Sequence, residues 1–118
     1  MEGTAHCHHN AILHRDIKLD NILLDQELTV KICDFGVSRF IRKEEMIKEQ
    51  CGTPAYIAPE IIKNKGYTGF AADVWSTGVL LYVMITGTFP FTADNLTSLN
   101  KTICKGKFIL PSFISKDS

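Results

Sequence analysis

Residues 12–24 read Ile-Leu-His-Arg-Asp-Ile-Lys-Leu-Asp-Asn-Ile-Leu-Leu, and Asp34-Phe35-Gly36 comes a short way downstream. The first stretch sets a carboxylate at Asp16, a cation at Lys18 and an amide at Asn21 between short apolar runs, and Asp34 adds a second carboxylate. An acid, a cation and an amide crowded into one loop make a poor hydrophobic core, because each would need a buried partner. They make a good grip for a metal ion and a phosphate, which call for hard oxygen donors and positive charge.

The flanking sequence gives that loop a frame. Ile22-Leu23-Leu24 and Val30-Lys31-Ile32-Cys33 are β-prone segments separated by Asp25-Gln26-Glu27, the spacing of a small hairpin. Such a hairpin starts just after Asn21 and ends just before Asp34, so both oxygen donors emerge at one end. Upstream, residues 1–13 hold few long apolar side chains and read as the last turns of a helix. His6, Cys7, His8 and His9 are adjacent in sequence, but contiguous residues do not converge easily on one ion, and no metal site is expected there.

Downstream, residues 36–50 are mostly polar and predict a surface loop, with a short helical piece around Lys43–Lys48. Cys51-Gly52-Thr53-Pro54 forces a turn, and Pro59-Glu60-Ile61-Ile62 opens a short helix with proline in its first turn. Ala71 to Thr86 is the strongest helix signal, apolar on nearly all sides, which predicts a buried helix. Gly87 ends it and Pro90 prevents its continuation. Asp73, placed in its first turn, would interact favourably with the helix dipole. Asp94 or Asn95 caps a shorter helix running to about Cys104, with Gly106 after its end, and the tail from Phe108 is irregular. The fold class expected is mainly α with a small β-hairpin, an α+β arrangement.

Bulk composition narrows the function classes. The 118 residues make one domain or part of one. With 45% hydrophobic and 22% charged residues the chain should fold rather than stay disordered. Thirteen basic residues cancel thirteen acidic ones, so net charge implies neither a nucleic-acid nor a membrane partner. The longest apolar run, Val79 to Ile85, is well short of the ~20 residues of a membrane span. Cys7, Cys33, Cys51 and Cys104 form no C-x-x-C pair and read as free thiols in a reducing compartment. No signal peptide is apparent at the start. A soluble intracellular protein, cytoplasmic in location, is expected.

In order and in spacing, these residues closely resemble the eukaryotic protein kinase family of the serine/threonine type. His14-Arg15-Asp16 with Lys18 and Asn21 is similar to the catalytic loop, and Asp34-Phe35-Gly36 to the metal-binding motif. Ala58-Pro59-Glu60 resembles the close of the activation segment, and Asp73-Val74-Trp75-Ser76-Thr77-Gly78 the start of the central buried helix. Thr86-Gly87 through Pro90-Phe91, and Ile103 to Phe108, resemble the family's pattern after that helix. The calcium/calmodulin-dependent-like group or a related one is compatible with this pattern.

The resemblance implies ATP and Mg2+ as cofactors and protein substrates with serine or threonine acceptors. It implies that Asp16 accepts the proton of the attacking hydroxyl and that Lys18 stabilises the transferring phosphate. Asn21 and Asp34 would hold magnesium, and Leu23 and Cys33 would lie under the adenine. His14, Phe35, Gly36, Glu60 and Asp73 would be structural. Lys18, two positions after Asp16, accompanies serine/threonine specificity in the family, and Thr53 would bond to Asp16 or Lys18. Asp20 either favours a basic residue upstream of the acceptor or is simply a solvated acid.

Arg15 is implied to need a negative charge on the activation loop. In many relatives a phosphothreonine stands two residues before the Cys-Gly-Thr motif, where this chain has Glu49, and no Ser, Thr or Tyr lies between Arg39 and Cys51. Glu49 is therefore expected to supply a fixed charge as a regulatory partner of Arg15. The pattern is broken at both ends. The Gly-rich loop, the strand lysine and its glutamate partner are absent, as are the last helices of the domain with the arginine that would pair with Glu60. The expectation is a C-terminal-lobe part of a kinase domain over residues 1–118, inactive alone. The alternative is a non-catalytic kinase-like binding or decoy module. The oligomeric state is left open.

Overall fold

The computed structural model of the chain describes residues 1–42 and 45–114. In order, the elements are α1 (Glu2–His9), β1 (Ile12–Leu13), β2 (Ile22–Leu24), β3 (Val30–Ile32), β4 (Arg39–Phe40), α2 (Pro59–Ile62), α3 (Gly69–Thr86) and α4 (Leu96–Lys105). Short 3-10 turns form at Leu19–Asn21 and Pro54–Tyr56. The expected hairpin is present: β2 and β3 pair antiparallel with Ile22 opposite Ile32 and Leu24 opposite Val30. Its turn is built by Asp25, whose carboxylate accepts the amides of Glu27 (3.0 Å) and Thr29 (2.8 Å), a side-chain mimic of a backbone turn.

A second two-stranded sheet, β1 with β4, escaped the sequence reading. Two-residue strands carry no period to detect. It matters because it brings the polar segment after Gly36 back onto the strand leading into His14. The helical piece expected around Lys43–Lys48 is not seen at residues 45–48, where Ile47 instead bridges to Tyr67, and Lys43 and Glu44 lie outside the described residues.

Helix α3 begins at Gly69, two residues earlier than expected, and is capped after Thr86 by Gly87, whose φ of 72° lets its N–H donate a hydrogen bond to the Val83 carbonyl at 2.8 Å. Two hydrophobic clusters meet on one side of it. Leu13, Ile41, Ile47, Ala58, Ile61, Tyr67 and Ala72 form the first. Ile17, Tyr56, Val79 and Leu80 form the second, and Trp75 packs against both. Through Leu13 and Ile17 the loop between them is gripped at both ends by the same helix.

The expectation of a helix buried all round is corrected. Val74, Leu81, Met84 and Ile85 are about half exposed, because the neighbouring elements cover only the face carrying Ala72, Asp73, Val79 and Leu80. The helix is long and apolar enough by composition to cross a membrane, but its buried face packs against loops and short strands and holds an acid, Asp73. Asp73 itself sits in the second turn rather than the first and is buried, which removes the simple helix-dipole reading. At the shorter helix, Asn95 is the cap, accepting the Ser98 amide at 2.9 Å, and Gly106 closes the other end with φ 65°.

Gly69 packs tightly against β1. A Cβ there would lie 1.7 Å from Leu13 Cδ1 and within 2.9 Å of Cγ and Cδ2. Leu13 is fully buried, so its whole isobutyl group would have to move. Gly69→Ala is expected to destabilise the fold by about 3 kcal/mol, at the upper end of overpacking costs. Urea denaturation checks this, and a cost under about 1 kcal/mol would show that the strand yields freely.

Candidate active site

Residues His14 to Asn21 leave the strand β1 and pass directly under the amino-terminal half of α3. The backbone at Arg15 has φ 68°, a left-handed conformation that costs a non-glycine residue about 1–3 kcal/mol and persists only when held. Asp73 holds it. One carboxylate oxygen accepts the Arg15 amide and the other accepts the His14 amide, both at 2.9 Å. His8 Nε2 lies 2.9 Å from the same carboxylate, so the end of α1 is drawn into the arrangement. The cluster His6 to His9 diverges accordingly: His8 turns to Asp73 and His6 meets Asn10.

Held this way, the loop presents a closed triangle of polar groups. Thr53 Oγ1 donates to Asp16 Oδ1 at 2.8 Å, Lys18 Nζ donates to Thr53 Oγ1 at 3.0 Å, and Lys18 Nζ is 3.1 Å from Asp16 Oδ2. Thr53, expected to bond to one of the two, therefore bonds to both. Asn21 Nδ2 donates to the Asp16 carbonyl at 2.8 Å, which leaves the Asn21 side-chain oxygen without a hydrogen bond among the described residues. Burial by itself would raise the Asp16 carboxyl. Hydrogen bonds from Thr53 and Lys18, the Lys18 charge and the Asn21 amide outweigh it and hold Asp16 below its ordinary value of 3.8. The same hydrogen bond to Asp16 raises Lys18 above its ordinary value, helped by the charges of Asp16, Asp20 and Asp34.

Asn21 and Asp34 do emerge at one end of the hairpin. Cys33 donates its amide to the Asn21 carbonyl at 3.0 Å, one step beyond the Ile22–Ile32 pair. Asp34 has φ 61°, and its Oδ1 accepts the Gly36 amide at 3.1 Å, so the carboxylate is turned by its own local loop. Buried His14 fixes this corner from below: its Nε2 bonds to the Cys33 carbonyl at 3.0 Å, its Nδ1 accepts the Asp16 amide at 3.3 Å, and its ring meets the edge of Phe35 at 4.8 Å. Leu23 lies in β2 opposite Lys31, half exposed, and Cys33 is partly buried.

The polar segment folds back as the second sheet requires. Arg15 Nε donates to the Val37 carbonyl at 2.6 Å, and its Nη1 lies 3.3 Å from Glu49 Oε2. The same oxygen takes a shorter bond, 2.7 Å, from Arg39, which also pairs with Glu45. Glu60 is partly exposed and has no hydrogen bond or ion pair among the described residues, so it is not brought to the site. The sequence reading missed His8, Arg39, Glu45, Tyr56 and Tyr67 as supports of this region. Tyr56 is seen only in three dimensions, where its hydroxyl takes the Leu19 amide at 3.4 Å.

An acid, a cation and a hydroxyl in mutual contact, in the loop that also carries the Asn21 oxygen and leads by the hairpin to the Asp34 carboxylate, can orient a hydroxyl and a polyphosphate together. The model of the protein kinase domain matches residues 1–117. CBL-interacting serine/threonine-protein kinase 1 of Arabidopsis thaliana is 44% identical over 118 residues, covering 98% of this chain and 27% of that protein. CBL-interacting protein kinase 10 of Oryza sativa subsp. japonica is 46% identical, covering 94% of this chain and 25% of its own length. Serine/threonine-protein kinase SIK1 of Mus musculus is 41% identical, covering 99% and 15%. The chain spans about a quarter or less of the length of these relatives, and over nearly all of its own length it belongs to the protein kinase domain family.

Proposed function

We propose that this chain forms the floor of an ATP-dependent active site that transfers a phosphoryl group to serine or threonine hydroxyls of protein substrates, as the C-terminal-lobe portion of a kinase domain. The observation that carries the reading is the Asp16–Thr53–Lys18 triangle, because it sets a charged carboxylate and an ammonium around a hydroxyl-sized position. Asp16, held ionised, accepts the proton of the incoming hydroxyl. Lys18 steadies the negative charge on the phosphate being transferred. Thr53 keeps the two from drifting and orients the acceptor residue.

Asn21 and Asp34 fit magnesium. Each offers a hard oxygen, they share one end of the hairpin, and two protein donors are what magnesium takes when substrate phosphates complete its shell. When bound, magnesium neutralises charge on the phosphate oxygens. Leu23 and Cys33, at the same hairpin, would floor the adenine. Four free cysteines support an intracellular, reducing location, and the motif pattern supports placement in the calcium/calmodulin-dependent-like group or a related one.

The test is transfer of labelled phosphate from ATP by the protein that carries these residues. Transfer to serine and threonine peptides, loss on chelation of Mg2+, and no transfer to tyrosine peptides are expected. Transfer to tyrosine, or transfer that survives chelation, overturns the reading.

Glu49 has a place in this proposal as the fixed charge that Arg15 requires. Its carboxylate is shared between Arg15 and Arg39, with the shorter bond to Arg39, and one charge clamps less firmly than the ~1.5–2 of a phosphate. Glu49→Ala is expected to lower the phosphoryl-transfer rate about three- to tenfold, in line with a half-exposed charge-assisted pair. Steady-state rates read this directly, and an unchanged rate would remove Glu49 from the regulatory role.

A further inference from the structure

Tyr67 stands between α2 and α3 and has no part in the chemistry above, yet it is tied to residues 47–49 at three points. Its amide donates to the Ile47 carbonyl at 3.0 Å, and its carbonyl accepts the Ile47 amide at 2.9 Å. Its hydroxyl donates to the Glu49 carbonyl at 3.0 Å. The ring is buried, packed in the cluster of Leu13, Ile47 and Ile61. Gly66, with φ 82°, makes the turn that brings it there, and a Cβ at that position would press on Met46 Cε at 3.0 Å.

Glu49 presents the opposite case. Its side chain is 61% exposed, so packing does not hold it. An exposed carboxylate contributes little to an ion pair unless something else limits the freedom of its chain. The only buried group bonded to the Glu49 backbone, among the described residues, is the Tyr67 hydroxyl.

We propose that Tyr67 is a positioning residue: its buried hydroxyl fixes the Glu49 backbone so that the Glu49 carboxylate bridges Arg15 and Arg39 and ties the polar segment to the loop carrying Asp16. Burial first, and then the neighbouring Cys51 thiol, push the Tyr67 phenol up to about 12, so the hydroxyl remains a donor throughout the neutral range. The consequence for turnover rests on the phosphoryl-transfer reading, whereas the positioning itself is a statement about the 118-residue chain alone.

Tyr67→Phe removes the hydroxyl and keeps the ring. The readout is limited trypsin digestion of the chain followed by mass spectrometry at the Arg39–Phe40 bond, where the protease must capture a guanidinium whose Nη1 is held by Glu49 and whose Nη2 is held by Glu45. Tyr67→Phe is expected to speed cleavage after Arg39 by roughly fivefold, the worth of one net hydrogen bond. Glu49→Ala should do about the same. The double variant should gain nothing beyond the larger single effect, since both act through one carboxylate. Cleavage after Lys101 in α4 should not change.

The proposal is overturned if cleavage after Arg39 is unchanged, if it rises in step with cleavage after Lys101, or if the two substitutions multiply. It is overturned equally if Tyr67→Phe fails to fold, because the hydroxyl would then support the whole core rather than Glu49. Phosphoryl transfer is measured separately on the protein that carries these residues. The expected cleavage pattern in a protein without turnover counts against the kinase reading alone, and turnover with an unaltered pattern counts against the positioning alone.

Discussion

Asp73→Ala is expected to remove about 3–5 kcal/mol of stability, the range found when one member of a buried charged network is deleted. Nearly all of the side chain is out of water, with 2% exposure at the residue, and its two oxygens take three bonds: from the His14 amide, the Arg15 amide and His8. Alanine leaves two backbone donors in the interior with no acceptor, and each such orphan costs about 1–3 kcal/mol. It also releases the Arg15 backbone from the bond that holds it at φ 68°. Against a typical total of about 5–15 kcal/mol, that loss is a large share. Asp73→Asn should cost less, about 1–2 kcal/mol, because one oxygen can still accept an amide. Urea titration of the three proteins gives the comparison. A loss below about 1 kcal/mol in the alanine variant would mean that the loop does not hang from α3.

Asp16→Asn is expected to lower the phosphoryl-transfer rate by about 10²–10⁴-fold, the usual worth of a positioned proton acceptor. Asparagine keeps the shape and its one oxygen can still accept from Thr53, but its amide nitrogen cannot accept from Lys18, and the proton acceptor is gone. The pH dependence comes from the direction of the Asp16 shift. The carboxyl lies below 3.8 in the folded chain, so its contribution to stability is complete above 3.8 and is lost as the pH falls through the lower folded value. The acid limb of the rate profile should accordingly lie below the ordinary carboxylate range. Thr53→Val deletes one of the bonds that hold the charge, and it should move that limb upward. Rates for Asp16→Asn within tenfold of the wild type would exclude Asp16 as the proton acceptor.

Much of the site was legible because its chemistry is local. Asp16, Lys18 and Asn21 lie within six residues, and a loop that short brings them together whatever surrounds it. The hairpin was legible from two β-prone runs and an intervening Asp-Gln-Glu, and its register then set Asn21 and Asp34 at one end. Gly87, Asn95 and Gly106 were legible as helix ends because capping depends on single residue types.

Other features had no local signal. The contact of Glu49 with both Arg15 and Arg39, although the first partner was expected from the family pattern, depends on a two-residue sheet and on Tyr67. His8 had no role assigned from the sequence, and its partner, Asp73, lies 65 residues away. Helix α3 was read as buried all round because hydropathy records how apolar a residue is and not what stands opposite it. The half-exposed Val74, Leu81, Met84 and Ile85 show the difference.

Residue types and their spacing were thus enough to assign the family, the loop with its acid, cation and amide, and most helix boundaries, since each depends on neighbours along the chain. Tertiary structure decided that Thr53 closes the triangle, that Asp73 accepts the His14 and Arg15 amides rather than serving the dipole of its own helix, and that Tyr67 anchors the segment bearing Glu49. Those outcomes are set by contacts 18 to 65 residues apart, whose geometry comes only from packing around α3.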